Sequence, residues 1–423
     1  MPTLTDKLRA LGVQLGAQEI EKPKIRNPYS IDKVLDGKII TTSQGEIFTV
    51  ENSFPIEYSN GASPIGLIAD LEILSSWTGQ NNIKSLPPED FAFIDIETTG
   101  LSGGTGTYAF LIGIGRYISN EFRIIQVFLR EPYEEPAQLL AAEQYLDNSQ
   151  AIVSFNGKAF DIPILISRYT LHHWIHPFQN MAHIDLLHIA RRLWRDRIPN
   201  RMLSNLEFNV LGVTRTEEDI PGWMIPSLYF DFLRDGDARP LKKVFYHNNM
   251  DVLSMAALLN YIAGLLSKPI LPAEIHNSDT IAIAGILEDI GDFDSAIKLY
   301  NHALDHTNYS GVSSQEAVFL KAIEHLARIH KHQQDYSIAI ELWKRAANLN
   351  QINPCIELAK YYEHQQKDFS EAMYWTRFAL ELLDKRTNSI KSDPLETRFH
   401  RELQRHDLEH RLERLSRKAS RST

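Results

Sequence analysis

The segment FAFIDIET, residues 91–98, restricts the possible folds of this chain more than any other stretch. Apolar, β-forming residues dominate it, which predicts a buried strand. Asp95 and Glu97 stand two positions apart, so both carboxylates leave the same face of that strand. Two like charges at the end of a buried strand are unfavourable unless something compensates them. A divalent cation does so, and paired hard oxygen ligands favour Mg2+ or Mn2+. A lone Asp-x-Glu is common on surface strands. Here the apolar flank and the following TTGL turn aim the pair at the end of a sheet.

The elements around this strand have a readable order. Pro87-Pro88 marks a boundary before it, and residues 1–85 read as a β-containing N-terminal extension without assignable chemistry. After it come the glycine-rich turn GLSGGTGT and two strands at hairpin spacing, YAFLIGIGRYI and EFRIIQVFLRE. The turn lacks the Gly-Lys-Ser/Thr of a P-loop. A helix over Glu134–Asn148, a strand in AIVSFNG, helices over Ile162–Tyr169 and Leu186–Arg195, and a long amphipathic helix from about Leu241 to Leu266 follow. Strands then helices in this order predict an α/β domain over residues 86–267, with a mixed sheet flanked by helices.

A chain of 423 residues is too long for one compact core, so further domains are expected. The net charge of −10 argues against coating nucleic acid by bulk charge. It does not exclude a nucleic-acid enzyme, whose metal site itself needs acids. One cysteine, Cys355, excludes a disulfide framework. With no leader-like N-terminus and no stretch judged long enough to span a membrane, the expected location is cytoplasmic.

Further candidate chemistry lies in two segments. In SFNGKAFD, Asp161 falls near a helix N-terminus, where it reads either as an N-cap or as a third metal ligand. In FYHNNMDVLSMAALL, Asp251 sits beside an apolar helix face, a costly position unless it is paired or ligates metal. His247 is one turn earlier on the same face, where a general base belongs, although such a histidine is also commonly a surface residue. Thr98, Asn156 and Lys158 near the acids, and Arg191 and Arg195 from the densest basic cluster, are the candidate substrate contacts.

Beyond Pro269 and Pro272 the pattern is helical throughout. Asp292, Ala296 and Ala303 recur as Asp335, Ala339 and Ala346, then as Asp368, Ala372 and Ala379, at offsets of 43 and 33 residues. The second offset is close to the tetratricopeptide period of about 34, which predicts tetratricopeptide-like helical repeats over residues 272–385. HTNYSGVSSQ accounts for the longer first offset as a loop insertion. A basic helix over 394–423 is expected to bury Phe399, Leu403, Leu408, Leu412 and Leu415. Residues 1–270 are expected to cleave substrate without these repeats.

Taken together, DIETTGL, NGKAFD and HNNMD resemble the three motifs of the DEDD exonuclease superfamily. The longer strings HIDLLHIARRLWRDRIPNRMLSNLE and DIPGWMIPSLYFDFLRDGD make the chain similar to the bacterial YprB-like family, which includes the mitomycin repair factor B type. The resemblance implies an RNase-H-like exonuclease domain followed by tetratricopeptide-like repeats. It implies Asp95, Glu97, Asp161 and Asp251 as the acidic set, holding two Mg2+ or Mn2+ ions about 4 Å apart. The implied activity is 3′-to-5′ exonucleolytic cleavage of DNA, less so of RNA, in repair, with a superfamily 2 helicase as a partner for the repeats. A structure-specific endonuclease, or a catalytically weak scaffold, are the competing readings. One departure is that Tyr246 and His247 are swapped relative to the two known subclasses, which leaves open which of them is the general base.

Overall fold

The computed structural model describes residues 28–422 except 81, 101–105, 217–218, 268–274, 307–312 and 390–394. The N-terminal segment examined for a leader, most of the glycine-rich turn and most of the expected insertion therefore lie outside the described residues.

Seven strands form one mixed sheet: β1 (Gly37–Thr42), β2 (Gly45–Pro55), β3 (Phe91–Thr98), β4 (Ala109–Ile118), β5 (Glu121–Phe128), β6 (Ala151–Ser154) and β7 (Ala182–Asp185). Their order is β1-β2-β5-β4-β3-β6-β7, antiparallel from β1 to β3 and parallel from β3 to β7. Because β1 and β2 continue this sheet, the expected boundary at residue 85 runs through a single structural layer. The signal there was weak because the edge strand β1 has no buried residue and only Ile47–Val50 of β2 are buried.

Helices α1 (Glu72–Thr78), α2 (Glu135–Leu146), α3 (Asp161–Leu171), α4 (Leu186–Trp194), α5 (Ile225–Asp235) and α6 (Leu241–Ser267) surround the sheet. Alternation along β3 decides which helix meets which face. Ala92, Ile94 and Ile96 pack against α2 and α3, whereas Phe91 and Phe93 pack in the core that α4 and α6 cover. Asp95 and Glu97 share the α6 side. By length and composition α6 could cross a membrane, at a mean hydropathy of 1.5, which corrects the expectation that no stretch was long enough. Yet 67% of that apolar window is buried inside the protein, so α6 serves here as a core helix.

Two glycines let α6 lie close to the sheet. Gly113 pairs with Asp95, and a Cβ at Gly113 would come within 2.3 Å of Asn248 Oδ1; one at Gly115 would meet Val252 at 2.7 Å. We expect Gly113→Ala to cost about 1–3 kcal/mol by overpacking. It should also lower activity by pushing Asn248 off Asp95, which thermal melts and turnover measured together will check.

The remainder is helical: α7 (Asn277–Asp289), α8 (Phe293–Asp305), α9 (Ser313–His332), α10 (Tyr336–Asn348), α11 (Ile352–Tyr361), α12 (Phe369–Ser389) and α13 (Leu395–Ser422). The recurring residues have physical roles. Asp292 and Asp368 accept backbone N–H bonds from Ser295 and Glu371 at 3.1 and 3.0 Å, capping α8 and α12. All six recurring alanines are buried, where small side chains let helices approach. On α13, Leu408 and Leu415 are buried, but Phe399 and Leu403 are 65% and 53% exposed, contrary to expectation. Charge adds to the hold of Leu408 and Leu415: Arg411, Arg414 and Lys418 converge on the buried Glu363 at 2.8, 2.9 and 2.8 Å.

Among the described residues one core runs from the sheet domain into the helical half. Ile281, Ile283, Ile286 and Leu287 of α7 belong to the same apolar cluster as α4 and α6. Arg192 reaches Asp289 at 3.0 Å, Arg197 reaches Asp279 at 3.0 Å, and Lys321 reaches back to Asp196 at 2.6 Å. Two of the five arginines of the basic cluster 191–201, Arg192 and Arg197, are thus spent on joining the halves.

Candidate active site

Three elements meet at the carboxyl end of β3, the usual position for a site in an open α/β sheet. β3 supplies Asp95 and Glu97. β6 ends at Ser154, the chain turns through Asn156 at φ 66°, and Asp161 opens α3. α6 runs past them with His247, Asn248 and Asp251.

The carboxylates are close enough to oppose one another's ionisation. Burial, then the charges of Asp251, Glu97 and Asp161, hold the Asp95 carboxyl well above its ordinary range. Burial, then Asp251 and Asp161, do the same to Glu97, against a smaller pull from Arg215. Asp161 is pushed up to about 7, mainly by burial, with Asp185 and Asp251 adding to it. Its cap function is minor: the residue at the N-cap position is Phe160, without a side-chain bond.

Residues the sequence reading did not single out hold these acids. Asn248 is fully buried and donates from Nδ2 to Asp95 Oδ2 at 2.8 Å, while its Oδ1 accepts from Gln126 at 2.9 Å. Arg215, its side chain 9% exposed, donates to Asp251 and, at 2.6 and 2.7 Å, to both oxygens of the buried Glu207. Asp219 lies 2.7 Å from His247 Nδ1. Arg215 Nη1 lies 3.3 Å from the same nitrogen, and His247 Nε2 lies 3.7 Å from Asp251 Oδ2, so the ring is held between two carboxylates and a guanidinium. Asn248 was legible, three residues before Asp251 on the same helix. Arg215 lies in a loop with no pattern to mark it, and Asp219 opens the string DIPGWMIPSLYFDFLRDGD without being singled out in it.

The other candidates fall into two groups. Tyr246 turns away, its hydroxyl accepting from Thr216 Oγ1 at 3.1 Å. Thr98 spends its hydroxyl on the Gly100 carbonyl at 2.8 Å. Asn156 and Lys158 donate their backbone N–H groups to Asp185 at 2.9 and 3.1 Å, and both side chains are exposed beside Asp161. Arg191 and Arg195 are exposed towards the far end of α4, where Arg192 meets the helical half, and are not brought to the acids.

As these side chains stand, no three acids or histidines among the described residues are gathered into a ready cage for an ion. Asp95 faces Asn248, and Asp251 faces Arg215. The donor set nevertheless fits a hard divalent cation: four carboxylates, three of them held above their ordinary range by burial and mutual repulsion.

The RNase H superfamily model matches residues 92–263, the span that holds the whole site. A sheet of this topology with such acids defines an RNase H-like domain, which supports a nuclease. The chain is also 31% identical over 333 residues to the uncharacterized protein YprB of Bacillus subtilis (strain 168), covering 76% of this chain and 78% of YprB. It belongs to the YprB family. Among solved structures, the family B DNA polymerase of the archaeon Pyrobaculum calidifontis is similar at a TM-score of 0.33 and 18% identity, over 51% of this chain and 29% of the polymerase. That level of likeness adds nothing to the fold seen directly.

Proposed function

We propose that this protein is a metal-dependent 3′-to-5′ exonuclease that cuts DNA in preference to RNA and acts in DNA repair. The convergence of Asp95, Glu97, Asp161 and Asp251 at one sheet end, with the Asp219–His247 pair beside them, is the observation that carries this reading. Those four carboxylates are the residues to hold Mg2+ or Mn2+. Two bound ions supply Lewis-acid polarisation of a phosphodiester and an acidified water. His247 is the candidate to take the proton from the attacking water, and Asp219, 2.7 Å from its Nδ1, orients the ring. Asn248 and Gln126 fix Asp95, and Arg215 fixes Asp251 against Glu207. Lys158 is placed to meet a substrate phosphate. The helical half, read as tetratricopeptide-like repeats, is the surface for a protein partner; a helicase delivering single strands suits it.

A 5′-end-labelled single strand tests the polarity. An exonuclease of this kind shortens it stepwise from the 3′ end, whereas discrete internal products from a circular or end-blocked strand would make it an endonuclease. On the same assay, His247→Ala should lower kcat by about 10²-fold or more with little change in KM. Asp219→Asn should follow it in part, and Tyr246→Phe should be mild. A crippled Tyr246→Phe beside a mild His247→Ala would transfer the base role to the tyrosine.

A further inference from the structure

Ile220 and Ile225 are buried on either side of a tight turn, Gly222–Met224. Both belong to the aromatic cluster of Phe110, Phe128 and Tyr229, so the turn is anchored at its two ends. The Met224 N–H closes it on the Pro221 carbonyl at 2.9 Å, and Pro226 follows in the first turn of α5. At the apex Trp223 is 71% exposed. The other tryptophans, Trp77, Trp174, Trp194, Trp343 and Trp375, are buried or half-buried. An indole held in water on a fixed turn contributes little packing to the fold. Its neighbour Gly222 faces the proposed base: a Cβ there would find His247 Nε2 at 4.0 Å. The turn is therefore a wall of the site, on the side of His247 Nε2.

We propose that Trp223 is a stacking platform for an unpaired nucleobase of the strand being cut. The proposal rests on the nuclease reading above. A phosphodiester presented to His247 carries its bases past this wall. Stacking suits the task because every base has a π-face, so a processing enzyme gains affinity without sequence preference. It also suits a chain of net charge −10, which lacks bulk charge to grip a backbone. A paired, stacked base has no free face to offer, so the platform selects single-stranded ends.

The test uses the full-length protein, a short labelled thymidine oligonucleotide, and the same strand with abasic residues at its 3′ end. Binding is read by anisotropy in Ca2+, which slows cleavage. Trp223→Ala should weaken binding of the intact strand by about 5- to 150-fold and leave the abasic strand nearly unaffected. Trp223→Phe should keep most of the affinity. Addition of the intact strand should quench intrinsic fluorescence in the wild type and not in Trp223→Ala. Equal losses on both strands would overturn the platform. If Trp223→Ala binds and cuts like the wild type, the nuclease reading stands, the platform falls, and the indole belongs to a protein contact. If the wild type neither binds nor cuts any strand, the nuclease reading falls and takes the platform with it.

Discussion

Asp95→Asn is expected to abolish cleavage while making the metal-free protein more stable. The loss should be on the order of 10³-fold or more, because the carboxylate is assigned to hold an ion whose contribution is several kcal/mol. The gain follows from the same crowding. Asp95 is buried among Asp251, Glu97 and Asp161, so removing its charge relieves repulsion, by on the order of 1–2 kcal/mol. The sign of the pH dependence can be worked out from Asp161, pushed from 3.8 to about 7. Between about pH 4 and pH 7 the native state keeps a proton that the unfolded chain has released, so metal-free stability falls as pH rises through that window. The wild type should therefore melt higher at pH 5 than at pH 8 in EDTA, by less than Asp161 alone would give, because burial holds His183 down to about 4 and its contribution runs the other way. The advantage of Asp95→Asn should be larger at pH 8 than at pH 5, because Asp161 gains its charge between them. Added Mn2+ should raise the melting temperature of the wild type and leave Asp95→Asn unmoved. A variant destabilised at pH 8 in EDTA would contradict this picture of the site.

Truncation after residue 270 should abolish cooperative folding, not merely partner binding. Ile281, Ile283, Ile286 and Leu287 of α7 are all buried in the core that α4 and α6 share. Burying such side chains contributes roughly 1.5–3 kcal/mol each. Four of them together reach about 6–12 kcal/mol, comparable with the whole stability of a typical domain, about 5–15 kcal/mol. Asp289 and Asp279 would be lost as well, leaving Arg192 and Arg197 without their carboxylate partners. The measurement is a thermal melt of residues 1–270 beside the full chain. A broad or absent transition is the expected result, and a sharp one within a few degrees of the full chain would show the halves to be independent.

The contrast between the sequence reading and the structure has physical causes. β3, β4, β5 and α6 were legible because buried strands and a core helix write their burial as apolar runs. The acids of the site were legible because a carboxylate within such a run has few bland explanations. β1 and β2 were read only as a β-containing extension, since the edge strand β1 has no buried residue and β2 buries only Ile47–Val50. The continuity of the core past residue 270 was hidden for a different reason: an apolar helix face does not say which partner covers it. Arg215 and Asp219 act through charges brought together by the fold, from a loop without periodicity. Arg192 and Arg197 were visible as basic residues, but only their partners on α7 reveal that they are structural.

Cleavage of end-labelled single-stranded DNA by the purified full-length protein, in Mg2+, in Mn2+ and in EDTA, with Asp95→Asn run alongside, tests the central claim most directly. The account predicts cutting by the wild type in either metal, none in EDTA, and none by Asp95→Asn under any condition. Cutting that survives EDTA, or that persists in Asp95→Asn, would contradict it.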